Sequence, residues 1–158
     1  ILIAMGLGSV IRGLTVALVT YLVGVIFYYV QFDSLLGISH PVVLTYFILT
    51  GGFVFGLLGI CVGFWAKSIE NMAAFTNFIL LPLLYLGGVF VSIETLPAWA
   101  KTVSSYNPVL YLINGMRYGV LGVSDVDLTQ SIVVSGAGLV LLYGLAFVAL
   151  KKANFSRW

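Results

Sequence analysis

Charge is what this sequence has least of. Charged residues make up 8% of its 158 residues, against about 25% in an ordinary water-soluble domain. Seven Lys and Arg stand against five Asp and Glu, for a net charge of +2, which is too sparse to build a basic surface for nucleic acid. Cysteine is limited to Cys61, which lies in an apolar run, supports neither an internal disulfide nor a cysteine metal site, and reads as a packing residue. The lone His40 furnishes no haem pair or zinc cluster and reads as a solvated loop residue. Paired carboxylates, a metal cluster and a nucleophile with an adjacent base are missing, as is a G-x-x-x-x-G-K-S/T phosphate loop. These absences exclude a soluble enzyme, a nucleic-acid binder, a disordered linker and a membrane-embedded enzyme.

Apolar sequence is what remains: 61% of the residues are hydrophobic and the mean hydropathy is +1.16. A membrane-crossing helix needs roughly 20 mostly apolar residues, and the sequence offers such stretches at about 9–31, 41–66, 72–93 and 128–150. The expected fold class is therefore an all-α membrane protein with four spans. Basic residues are retained on the cytoplasmic side. Placing both termini there puts Arg12, Lys67, Lys151, Lys152 and Arg157 inside and leaves Lys101 and Arg117 outside. Tyr28, Tyr29, Trp65 and Trp158 fall near span ends, as interfacial aromatics do. Arg12, about one turn inside its span, reads as a side chain that reaches back to the head groups, with an intramembrane functional role as the rival. The chain opens on Ile1, without a basic n-region or a small-residue cleavage site, and is expected to be the C-terminal part of a longer protein.

Gly52, Gly56, Gly59 and Gly63 recur at helical spacing and share one face of the second span. Such a face lets another helix approach closely, either within the subunit or across a dimer seam. Pro82 removes a backbone hydrogen bond from the third span and clashes with the carbonyl of Phe78, predicting a kink. The segment from Glu94 to Gly122 carries two helical patterns too short to cross. The first starts at Pro97, with Thr95 as a candidate cap, and runs to about Ser105. The second has Asn107 as N-cap and Pro108 at the first helical position, passes Tyr111, Gly115 and Arg117, and stops at Gly122. This pair is expected to form a re-entrant helix hairpin before the last span, with a hairpin lying flat on the membrane as the alternative.

The run Pro82-Leu83-Leu84-Tyr85-Leu86-Gly87-Gly88-Val89-Phe90, then Leu96-Pro97, then Asn107-Pro108 followed by Tyr111, Gly115, Arg117, Tyr118, Leu121 and Gly122, resembles the C-terminal signature of the type-two ABC transporter permease family. The likeness is greatest to bacterial inner-membrane permeases of the YadH type and extends back through Ala66-Lys67-Ser68 and Val10-Ile11-Arg12-Gly13. It implies that the present spans are the third to sixth of six, and that Glu94 to Gly122 is the family's re-entrant hairpin. The family's first two spans and main coupling helix would then precede Ile1.

The resemblance further implies a bacterial inner-membrane permease that works as a dimer, expected as a homodimer surrounded by lipid. Each protomer would bind an ATPase carrying ATP and magnesium, the permease would hold no cofactor of its own, and the cargo would be amphipathic, lipid-like, glycan or drug. Lys67, Ser68 and Glu70 are then either an ATPase-facing loop or a solvated turn. Arg117 either meets anionic cargo or head groups, or pairs with Glu94, Asp125 or a helix end. Tyr111 and Tyr118 either line the path or anchor the interface, and Gly87 and Gly88 allow tight approach of the third span to the hairpin. An ion-coupled secondary transporter and a non-transporting scaffold are the competing classes. The first is disfavoured because no Asp, Glu or His lies within a span away from its ends.

Overall fold

A computed structural model of the chain describes residues 2–89 and 93–155. Phe90 of the signature run, Arg157 and Trp158 lie outside the described residues, as do the side chains of Glu94 and Lys152. The elements are α1 (Leu2–Phe32), α2 (Pro41–Trp65) and α3 (Ile69–Phe75), then a π-helical turn (Thr76–Leu80) leading into α4 (Leu81–Leu86). A 3-10 turn (Ile93–Thr95), α5 (Ala98–Ser105), α6 (Pro108–Leu121) and α7 (Leu128–Phe155) follow. The described residues are all-α, without a strand. Among the described residues, four segments are long and apolar enough to cross a membrane: Ile3–Phe32, Pro41–Trp65, Ile69–Leu86 and Leu128–Lys151.

The helix ends follow local chemistry. α1 begins at Leu2, well before residue 9, because nothing between Leu2 and Arg12 interrupts the apolar run. At about 1.5 Å per residue its 31 residues measure roughly 46 Å, longer than a hydrocarbon core of about 30 Å. Arg12, exposed on this helix, can thus reach a head group from a span that overshoots the membrane. α2 starts at Pro41, whose fixed φ suits the first helical position. α3 begins at Ile69, earlier than the sequence window, because Ser68 caps it by accepting the Asn71 amide at 3.3 Å. α4 stops at Leu86 rather than near residue 93, since Gly87 turns out of the helix and Gly88 takes φ +80°.

The kink expected at Pro82 is met by a change of helix type. From Thr76 to Leu80 the chain widens to π-helical bonding, and the Leu81 amide bonds the Thr76 carbonyl five residues back. The wider turn accommodates the proline ring and the bond it cannot donate.

α2 is the centre of the packing. It lies against α1, α6 and α7, and α6 lies against α7. Phe47, Val54 and Leu112 form one buried cluster, flanked by Met116, Leu139 and Leu142. Leu57, Ile60 and Ala146 form another, with Cys61 and Leu150 packed on it. α6 sits close on α2: a methyl group on Gly115 would overlap the Phe47 ring, and one on Gly119 would come within 2.8 Å of the Leu44 Cα. The third span differs, because none of α3, the π turn or α4 contains a buried residue.

The glycine face of α2 is shared out among several neighbours. Gly52 and Gly56 pack on Val10 and Ser9 of α1, Gly63 faces Met72 of α3, and Gly59 has open space beside it. An open groove of about 470 Å³ runs along this stretch, between Met5 and Ser9 on one side and Gly56, Gly59 and Phe64 on the other.

Candidate functional site at the hairpin

α5 and α6 form a hairpin packed against the end of α4. Asn107, 5% exposed, stands at its turn and serves two helices. Its Oδ1 accepts the Val109 amide at 3.0 Å, capping the start of α6. Its Nδ2 donates to the Leu83 carbonyl at 2.6 Å. That carbonyl lies in the last turn of α4, where the Gly87 amide bonds Leu84 instead, and terminal carbonyls need an outside partner. Asn107 therefore caps the head of α6 and the tail of α4 together, with acceptor and donor on separate atoms, whereas an ionised Asp has no donor and Ser has both functions on one shorter-reaching oxygen. Pro108 follows at the first helical position, and Gly122 closes α6 with φ +73°.

The sequence placed the start of the first hairpin helix at Pro97, with Thr95 as a candidate cap. Pro97 is instead the extended residue before α5, with no side-chain cap, and Thr95 ends the short 3-10 turn. A proline lacks the side-chain acceptor a cap requires and rigidly sets the direction of entry. At the hairpin turn the two residues part: Tyr106 is 84% exposed whereas Asn107 is buried.

Arg117 holds the other end of α6. Its guanidinium donates to Asp125 Oδ2 at 2.5 Å and to the Gly88 carbonyl at 2.5 Å. Asp125 Oδ2 also accepts the Ile93 amide at 3.1 Å. The side chains are 22% and 8% exposed, so the pair is shielded from solvent and strengthened by its further hydrogen bonds. One ion pair thus joins α6, the α6–α7 loop, the exit of α4 and the 3-10 turn.

Beside it, Asn114 is 1% exposed. Its Oδ1 accepts the amides of Asp125 and Val126 at 2.8 and 3.2 Å. Its Nδ2 donates to the Val126 carbonyl at 2.9 Å and to Ser131 Oγ at 3.0 Å. All its hydrogen-bonding capacity is used, which fixes the loop that presents Asp125 to Arg117.

Other residues singled out from sequence lie around this cluster. Gly87 sits beside Ile113 of α6, with a methyl there 2.9 Å from Cδ1. The Tyr111 hydroxyl donates to the Ser105 carbonyl at 2.8 Å, across the hairpin. The Tyr118 ring stacks on His40 at 4.5 Å, while the Ser39 and His40 amides bond the Val120 and Gly119 carbonyls at 3.2 and 2.9 Å. His40 is thus exposed yet docked. Lys67, Ser68 and Glu70 are exposed at the opposite end of the third span. No group of three or more His, Cys, Asp or Glu among the described residues is placed to hold a metal. The arrangement has the chemistry of a mechanical joint between helices.

The model for "ABC-2 type transporter" matches residues 1–121. The chain belongs to the ABC-2 type transporter family. It is 33% identical over 147 residues to the inner membrane transport permease YadH of Escherichia coli K12, covering 93% of this chain and 55% of that protein. It is 27% identical over 141 residues to the daunorubicin resistance ABC transporter permease protein DrrB1 of Streptomyces coeruleorubidus, covering 87% and 47%. The chain spans about half the length of the curated relatives it matches. No solved structure matches it significantly.

In this ABC-2 type chain, Gly87, Gly88, Asn107, Pro108 and Arg117 come together where α4 meets the hairpin. Gly115 and Gly122 serve the α2 contact and the end of α6. Of the alternatives the sequence offered for Arg117, the pairing with Asp125 is the one the structure shows, whereas sequence reasoning missed Asn114, which completes the joint. A lone amide inside an apolar helix was the available signal, because a polar group there needs a built partner.

Proposed function

We propose that the chain is part of the transmembrane permease subunit of an ATP-driven exporter in the bacterial inner membrane. Two protomers line the path between them, and a separate ATPase supplies the energy. Both ends of the chain face the cytoplasm and the hairpin faces outward, dipping into the outer leaflet, which the split of basic residues supports. Lys67, Ser68 and Glu70 then form an exposed cytoplasmic turn able to meet the ATPase. Amphipathic cargo is consistent with a route lined by apolar helices.

One observation carries this reading beyond family membership. The turn between α2 and α3 and the hairpin lie at opposite ends of one span, so that span links an ATPase-facing surface to an exit-facing one. The permease performs no bond chemistry itself.

The test is co-purification of the protein at its full natural length, in detergent, with ATPase activity measured on the bound fraction. A stoichiometric ATPase whose release follows charge reversal at Lys67 and Glu70 is the expected result. A correctly folded protein with no bound ATPase would move the assignment to a secondary transporter or a scaffold.

A further inference from the structure

The described chain divides into a packed unit and a span that hardly touches it. α1, α2, α6 and α7 pack on one another and close off Phe47, Leu57 and Leu112. The third span, from α3 through the π turn to α4, has no buried residue and meets this unit chiefly at its two ends. At one end the link is the chain itself, through Ala66, Lys67 and Ser68. At the other end the link is made by side chains. Asn107 grips the Leu83 carbonyl, Arg117 grips the Gly88 carbonyl, and Asp125 holds both Arg117 and the Ile93 amide.

These contacts suit the transmission of motion along the helix. The Leu83 carbonyl, in the last turn of α4, points along the helix axis, so Asn107 holds α4 end-on while Arg117 holds the Gly88 carbonyl just beyond the helix end. A sliding or tilting span pulls directly on them, whereas lateral packing would let it slip. The π turn, with Pro82 just beyond it, gives the span a place to flex between its ends. Asn114 ties the loop carrying Asp125 to α6 and to the start of α7, so Asp125 stays with the hairpin helix that carries Arg117.

We propose that Asn107, Arg117 and Asp125 form a clasp that passes displacement of the third span to the hairpin. While the clasp is closed, α4 and the hairpin move together. When it opens, the hairpin no longer follows the span. The clasp positions the hairpin and touches no cargo. The proposal rests on the permease reading for the source of motion, but the existence of the clasp does not.

Ser104 provides a reporter. It is fully exposed to neither water nor lipid, being 0% accessible on α5, and its hydroxyl has no hydrogen-bond partner. Ser104→Cys therefore sacrifices no bond, and with Cys61→Ala, and any cysteine elsewhere in the full-length protein replaced likewise, it leaves one permease thiol to label. In the full-length protein with its bound ATPase, a maleimide should label this thiol slowly without nucleotide and at a different rate when ATP is trapped. Arg117→Gln should raise the nucleotide-free rate at least about tenfold, as expected when a shielded ion pair that ties two segments is removed. It should also abolish the response to ATP while ATPase activity persists, a separation that a merely structural role does not produce.

Asp125→Asn keeps an acceptor for the Ile93 amide and should give a smaller increase of the same sign. A folded Arg117→Gln protein that labels as slowly as its parent overturns the clasp, whatever the ATPase does. Unfolding of both variants overturns it in favour of a purely structural role. Failure of the parent to bind an ATPase defeats the permease reading, while the nucleotide-free labelling still judges the clasp.

Discussion

Two neighbouring spans, joined by a three-residue turn, behave in opposite ways. α2 packs on three helices and has a third of its most apolar window buried, whereas the span from Ile69 to Leu86 has none. Both are apolar enough to cross a membrane. The difference lies in side-chain size. α2 contains Gly51, Gly52, Gly56, Gly59 and Gly63, while no glycine occurs between Ile69 and Leu86. Lipid supplies no hydrophobic force between helices, so close approach through small residues decides which helices associate. Hydropathy selects the spans, and glycine selects the partners.

The most damaging change should be Gly115→Val. A methyl group there already overlaps the ring of Phe47, which is fully buried and has nowhere to turn. Overpacking of this kind costs about 3 kcal/mol or more. Thermal unfolding of the purified protein in detergent should show a large loss of stability. An unchanged midpoint would mean that α6 is not seated on α2, and the contrast between the two spans would collapse.

Asn107→Ala should come next, because it removes an N-cap worth about 1 kcal/mol and strips the Leu83 carbonyl of its partner at about 1–3 kcal/mol. Asn107→Ser separates the two, since serine still caps α6 but cannot reach α4. If the serine variant is as stable as the parent, the bond from Asn107 to α4 contributes nothing, and Arg117 alone carries the side-chain attachment of the third span.

A matched glycine pair sharpens the same contrast within α2. Gly56→Ala drives a methyl to 2.6 Å from Ser9, while Gly59→Ala meets nothing within 4 Å. The first should cost about 1–2 kcal/mol from overpacking. The second should be neutral, or stabilising by up to about 1 kcal/mol through helix propensity. Chemical unfolding of both variants in one detergent gives the comparison. Equal losses would mean that Gly59 is covered as closely as Gly56.

Much of this arrangement was legible because its causes are local. Hydropathy located the spans, and Asn107, Pro108 and Gly122 bounded the second hairpin helix because capping and left-handed backbone act within a turn of themselves. The common face of the four α2 glycines was also legible. What each one meets was not, because α1 comes from elsewhere in the sequence. The third span was placed too late because Ile69 and Glu70 look like turn residues until Ser68 is recognised as their cap. Its end was placed too far along because Val89 continues the apolar run beyond two glycines that have already left the helix. Asp125 was among the partners the sequence offered Arg117, but the choice of Asp125 and the added bond to the Gly88 carbonyl follow from how α4 and the α6–α7 loop meet in space.

The smallest expected effect belongs to the third span itself. Phe78 is 80% exposed on the π turn, so Phe78→Ala removes a large ring from a largely open surface of the chain. In the purified protein its stability should stay within about 0.5 kcal/mol of the parent, as for substitutions away from packed contacts. Pro82→Ala belongs with it: restoring the missing amide lets the π turn relax toward ordinary helix, with no buried neighbour to disturb. Amide exchange over residues 76–81 should then slow while the unfolding midpoint holds. A loss above about 1.5 kcal/mol in Phe78→Ala, in the range for a ring deprived of a packed site, would show that something covers this face. The glycine-free span would then be a partnered helix, and side-chain size alone would no longer account for its lack of neighbours.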